Sequence, residues 1–261
     1  MAAKTTFGKS VAAAVMAICI AGSVLADPPE LKMTTKMPPG IAIPDRVESR
    51  LGVLEFFDGY PSDATVERLY DNLDFQRAVQ AYLLGIPAVS QAANRNEILK
   101  LGPANTTVPI FESRMDSRSL FLTPNTQTPY SWMWIDLRKG PVVLESPPKV
   151  LGAVNDMWYR WVVDVGITGP DKGAGGKYLF LPPGYEGPVP EGYIVVKSPT
   201  FSVWVPWRSF VVKGDPKPGV DLVKQHTRCY PLSEAANPPP MKFVNVSGKD
   251  FCTVAPADYA F

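Results

Sequence analysis

From Thr106 onward the chain is a succession of short β-rich runs cut apart by proline and glycine turns, and this punctuation limits what it can fold into. The runs are Val108–Phe111, Leu120–Leu122, Ser131–Leu137, Pro141–Leu144, Asn155–Val165, Lys177–Leu181, Tyr193–Val196 and Phe210–Lys213. Most of the 28 prolines stand in turn-like groups such as Pro147-Pro148, Pro182-Pro183-Gly184 and Pro238-Pro239-Pro240, where a fixed φ and a missing N–H suit a turn. Runs at this spacing predict a sandwich or a barrel. The expected class is mainly β with a helical N-terminal part, a β-sandwich-like domain of antiparallel strands.

The upstream region has a helical period. Tyr60-Pro61-Ser62-Asp63 reads as a helix start with Ser62 or Asp63 as cap, and Val66, Leu69, Tyr70 and Leu73 then fall on one face. A second helical stretch carries Phe75, Val79, Tyr82, Leu83 and Ile86 and is expected to kink or stop at Pro87. Residues 48–104 therefore form the helical part, and residues 105–261 the β-sandwich-like part of the same domain. Residues 27–47, rich in proline, read as an extended lead-in.

Residues 1–26 read as a signal peptide. Lys4 and Lys9 give a basic opening, Val11 to Leu25 follow without a charge, and Val24-Leu25-Ala26 offers small or aliphatic residues at a cleavage position. The expected location is periplasmic or secreted. No later stretch is apolar enough to span a bilayer, so no membrane contact is expected after cleavage.

The chain has 26 Lys+Arg and 25 Asp+Glu; without Lys4 and Lys9 the balance falls to one net negative charge, which gives nucleic acid no basic patch to bind. Cys229 and Cys252 remain after signal removal. In an oxidising compartment they are the natural disulfide pair, closing a loop of about 24 residues worth about 3 kcal/mol. His226 is the one histidine and lies between Lys224 and Arg228, a solvated basic setting. No multi-histidine metal site can form, and no metal or cofactor is expected. Gly169 to Lys177 lacks the Walker spacing and reads as a flexible hairpin connection.

Three stretches carry a family likeness. The first is Leu54-Glu55-Phe56-Phe57-Asp58-Gly59-Tyr60-Pro61, running into Tyr70-Asp71-Asn72-Leu73-Asp74-Phe75-Gln76-Arg77. The second is Leu122-Thr123-Pro124-Asn125-Thr126-Gln127-Thr128-Pro129-Tyr130, leading to Trp134-Ile135-Asp136-Leu137 and Gly140-Pro141-Val142-Val143-Leu144-Glu145. The third is Tyr178-Leu179-Phe180-Leu181-Pro182-Pro183-Gly184-Tyr185. Together they resemble the exported proteins of the domain of unknown function 1254 family across nearly the whole chain after the signal. The resemblance implies a β-sandwich-like domain with a helical N-terminal part, followed in most members by a companion domain, 1214, so the chain resembles the N-terminal half of such a protein. Gln127 stands where many members carry an acid, which removes a charge from that position.

Several groups could hold a ligand. Asn125, Thr126, Gln127, Thr128 and Tyr130 place hydrogen-bonding side chains just before an aromatic strand, where they either orient a polar ligand or close their own turn. Trp132 and Trp134 share a strand face, which lines a cleft or packs as core. Asp156, Arg160 and Asp164, joined by Arg208, form either a buried charged site or a solvated strand face. Three functions follow from these alternatives. The first is binding of a small polar or aromatic ligand in a Trp/Tyr-lined cleft. The others are a carboxylate-dependent hydrolase or lyase, and an assembly module that packs on a second domain or forms a homo-oligomer.

Overall fold

The computed structural model describes residues 36, 38, 40, 41, 44–121 and 124–253, and the chain divides into two compact units, Met1–Asp74 and Phe75–Phe261. The signal reading of residues 1–26 and the apolar residues Tyr259 and Phe261 lie outside the described residues.

In the first unit β1 (Arg46–Ser49), β2 (Gly52–Phe57) and β3 (Tyr60–Pro61) form an antiparallel meander. Helix α1 (Asp63–Leu101) starts directly after it. Ser62 caps the helix as expected, its Oγ accepting the Thr65 N–H at 3.3 Å. The buried Thr65 hydroxyl accepts the Glu55 N–H at 2.8 Å, which ties β2 to the first helical turn.

The helix does not stop at Pro87, since α1 runs through it to Leu101. An interior proline forfeits one backbone bond and costs about 3 kcal/mol. The turns beyond it offset that cost by burying Gln91, Asn94 and Ile98 on one face. Phe75, Val79, Tyr82, Leu83 and Ile86 are exposed.

The second unit is a sandwich. Its strands are β4 (Thr107–Ile110), β5 (Ser119–Leu120), β6 (Tyr130–Asp136), β7 (Val142–Ser146), β8 (Leu151–Asp156), β9 (Trp161–Gly166), β10 (Gly176–Leu181), β11 (Ile194–Lys197), β12 (Ser202–Arg208), β13 (Arg228–Pro231), β14 (Lys242–Asn245) and β15 (Phe251–Cys252), with helix α2 (Lys217–His226) before β13. A six-stranded sheet, β14-β4-β6-β12-β8-β9, and a four-stranded sheet, β11-β10-β7-β13, bury one core between them. Met133, Ile135, Val205 and Trp207 enter it from the first sheet, and Leu144, Tyr178, Phe180 and Cys229 from the second. Most pairings are antiparallel, whereas β4–β14, β10–β11 and β5–β15 are parallel.

Four expectations are corrected here. Phe210–Lys213 forms no strand among the described residues, only a bridge between Val212 and Asp215. The strand in that region is β12, in the middle of the large sheet, which Pro206 disguises in the sequence. Proline is tolerated because the β12–β8 ladder pairs Trp204 with Asn155, resumes at Trp207 with Gly152, and is open at Pro206, where no N–H exists to donate.

The Asn155–Val165 run is not one strand. It folds back between Asp156 and Trp161, so Asp156, Arg160 and Asp164 do not share a strand face.

The Gly169–Lys177 segment is neither a hairpin nor loose, since β9 and β10 belong to different sheets. Asp171, 9% exposed, pins it by accepting the Gly166 N–H at 2.8 Å, the Tyr178 hydroxyl at 2.7 Å and the Ser146 hydroxyl at 2.9 Å.

Cys229 and Cys252 form no disulfide. Alternation on β13 turns Cys229 into the sandwich core, where burial pushes its thiol pKa up, while Cys252 sits on the separate β5–β15 ladder.

Candidate functional site

The outer face of the six-stranded sheet carries the candidate residues. Along β6, Met133 and Ile135 point into the sandwich, so period-2 alternation sends Tyr130, Trp132 and Trp134 to the opposite face. Trp204 of β12 joins them there, with Ile98 of α1, Phe111 and Phe251 packed on top. Trp132 stacks on Phe251 with ring centres 5.5 Å apart and meets Phe111 edge-on at 5.3 Å. Trp132 and Trp134 are 0% and 1% exposed. These two are a second core and not the wall of an open cleft.

The aromatic cover stops short of the β8–β9 side. There Phe121, Tyr130, Ala153, Asp164, Trp204 and Arg208 surround a groove of about 410 Å³. Two features of the sequence make room for it. Ala153, paired with Asp164, supplies almost no side-chain bulk, and the β12–β8 ladder is open at Pro206, which also lines the groove. A Cβ on Gly152 would lie 2.5 Å from the Pro206 carbonyl oxygen and 2.7 Å from the Trp207 Cβ, so only glycine fits.

Tyr130 is held from its loop side. The Asn125 side-chain amide donates to its hydroxyl oxygen at 2.9 Å and the Asn125 backbone N–H at 3.2 Å. Asn125 Oδ1 in turn accepts the N–H groups of Gln127 and Thr128 and the Thr128 hydroxyl, each at 3.0 Å. The polar cluster therefore closes its own turn, with the Thr126 and Gln127 side chains exposed. Both hydroxyl lone pairs of Tyr130 being occupied, its own proton is left to donate elsewhere.

The side chain of Arg208, directly opposite Tyr130 on the ladder, makes no hydrogen bond or ion pair among the described residues. Asp164 on β9 accepts the Trp161 indole N–H at 2.8 Å, which leaves its second oxygen for another donor. The groove thus combines a cation, a hydroxyl donor, a carboxylate acceptor and two aromatic walls.

Asp156 and Arg160 lie elsewhere. The fully buried Asp156 accepts the Trp158 N–H at 2.8 Å, the Arg160 N–H at 3.0 Å and the Arg160 Nε–H at 2.7 Å. It braces the β8–β9 turn, in which Tyr159 adopts φ of 58°, a strained conformation for so large a residue. Sequence reasoning missed Phe121, Gly152 and Ala153. The signal that could have found the last two is a pair of adjacent small residues inside a strand-like run, which marks close approach.

Residues 105–231 match the model of a family described as Protein of unknown function (DUF1254). The DUF1254 match runs from β4 to β13 and includes every residue of the groove. No curated protein matches the chain. Among solved structures the chain is similar to the VPA0106 protein from Vibrio parahaemolyticus, at 18% identity and a TM-score of 0.46, over 63% of this chain and 40% of that one. It is also similar to an uncharacterized protein from Burkholderia cenocepacia, at 10% identity and a TM-score of 0.31, over 62% of this chain and 44% of that one. The chain thus spans less than half the length of either protein.

Proposed function

We propose that the chain is an exported binding module that takes a small aromatic carboxylate bearing a hydroxyl group into the groove between Tyr130, Trp204 and Arg208. The observation that carries this reading is the unpaired Arg208 guanidinium at a groove with aromatic walls. Arginine offers planar, bidentate donors suited to a carboxylate. Phe121 and Trp204 suit an aromatic body, the Tyr130 O–H can add a second hydrogen bond, and Asp164 can accept from a hydroxyl at the ligand's far end. The hydrolase or lyase alternative loses its leading carboxylate, since Asp156 is committed to the β8–β9 turn.

The test is titration of 4-hydroxybenzoate followed by tryptophan fluorescence and calorimetry. Saturable binding is expected, weaker by about tenfold for benzoate and absent for 4-hydroxybenzyl alcohol. The Arg208→Met substitution should weaken binding by about tenfold or more, the size of a lost charge-assisted hydrogen bond. Unchanged affinity in that variant would defeat the reading.

A specific observation also favours the assembly reading. Phe75, Val79, Leu83 and Ile86 fall on one face of α1 and are exposed, and an uncovered apolar face of this kind suits a contact surface. Light scattering on the exported chain decides this independently of ligand binding.

A further inference from the structure

A second site lies at the far end of β6, away from the groove. Two adjoining cavities of about 320 Å³ and 280 Å³ share Ala104, Asp136 and Arg138. Arg95 and Trp134 line the larger, and Lys139 the smaller. The wall is rigid. The Asn105 side chain accepts the Asp136 N–H at 2.8 Å and donates to the Asp136 carbonyl at 3.1 Å, which fixes the strand end.

The charges there do not balance. Arg138 folds back on Asp136, its Nε and Nη2 donating to the carboxylate at 3.0 and 2.5 Å. That pair neutralises itself and holds the Asp136 carboxyl below the usual carboxylate range, chiefly through the Arg138 hydrogen bond. Arg95 acts on Asp136 only through its charge at longer range, and the side chains of Arg95 and Lys139 make no hydrogen bond or ion pair among the described residues. The Arg95 Nε is buried with no acceptor, and so is the indole N–H of Trp134, a residue 1% exposed. Buried donors without acceptors are rare in folded proteins, because each keeps its full desolvation cost. Here two of them belong to residues lining the larger cavity, and the two adjoining cavities together carry an excess of two positive charges.

We infer that the Arg95–Trp134–Arg138 cavity binds a phosphate group, as a free ion or as a phosphomonoester. A dianion matches the two uncompensated charges, and its oxygens accept from several donors at once, which a single carboxylate does less fully. The site is independent of Arg208 and of the proposed aromatic carboxylate.

The test is titration of the full chain with inorganic phosphate and, separately, with glycerol 3-phosphate, at constant ionic strength. The indole N–H resonances are followed by NMR. The Trp134 signal should shift saturably with at least one of the two, and which of them binds more tightly identifies the source. Arg95→Met should weaken binding at least tenfold, and Lys139→Met, on the surface and harmless to folding, severalfold. Arg208→Met should leave it unchanged. A shift that does not saturate, equal shifts with chloride, or loss of phosphate binding in Arg208→Met but not in Lys139→Met would overturn the assignment.

Discussion

Arg208 stands directly across the β6–β12 ladder from Tyr130, and the two share one end of the groove. Their states differ. Tyr130 is clamped by two donors from Asn125, whereas the side chain of Arg208 has no partner among the described residues. A fixed hydroxyl beside an uncommitted guanidinium is an arrangement that a ligand completes, because the aromatic ring is already oriented and the cation loses no protein partner on binding.

The Asn125 turn gives the first prediction. Asn125→Ala removes the acceptor of three hydrogen bonds and the side-chain donor to Tyr130, leaving only the backbone N–H on that hydroxyl, so it should destabilise the fold by about 2 kcal/mol. Tyr130→Phe deletes only the hydroxyl and should cost about 1 kcal/mol. Urea unfolding of the two variants should give that order, and a harmless Asn125→Ala would show that the turn closes without it.

Gly152 gives the second. Its absent Cβ is the space occupied by the Pro206 carbonyl and the start of Trp207. Gly152→Val should cost about 3 kcal/mol or prevent folding, since backbone atoms of a central strand cannot retreat. Expression and thermal melting of the variant check this, and a wild-type melting temperature would contradict it.

Glu145 makes stability depend on acid. Burial opposes its ionisation, but hydrogen bonds from the Tyr230 hydroxyl at 2.6 Å and from Lys177 outweigh burial, holding its pKa below the ordinary 4.5. Because the folded value is the lower one, the contribution is complete above pH 4.5 and is lost as pH falls through the folded value. Unfolding free energies between pH 7 and 3 should therefore fall less steeply in Glu145→Gln than in the wild type. Parallel curves would show that the pair contributes nothing.

The cysteines supply a chemical check. Cys229 is fully buried and its thiol pKa is raised by that burial, so it should resist iodoacetamide in the folded chain. In denaturant without reductant, mass spectrometry should find both Cys229 and Cys252 alkylated. A species with neither alkylated would restore the disulfide expected from the sequence.

The sandwich class, the Ser62 helix cap and most strands from Val108 to Val196 could be read from the chain alone. The reason is that period-2 alternation, β-branched and aromatic runs, and proline–glycine turns act through neighbours in sequence. What failed was non-local. Pro87 and Pro206 look like breaks until packing on one side, and an open rung on the other, show what offsets the missing N–H. Composition and an expected oxidising location favoured joining Cys229 to Cys252, but β13 turns the first into the main core while β15 carries the second to another ladder. The candidate residues divided for the same reason. Asn125, Tyr130, Trp132, Trp134, Asp156 and Arg208 are each visible as chemistry, but only the sheet order β6-β12-β8-β9 decides their neighbours. That order buries Trp132 and Trp134, commits Asp156 to a turn, and leaves Arg208 at a groove with Asp164, 44 residues away in the chain and two strands away in the sheet.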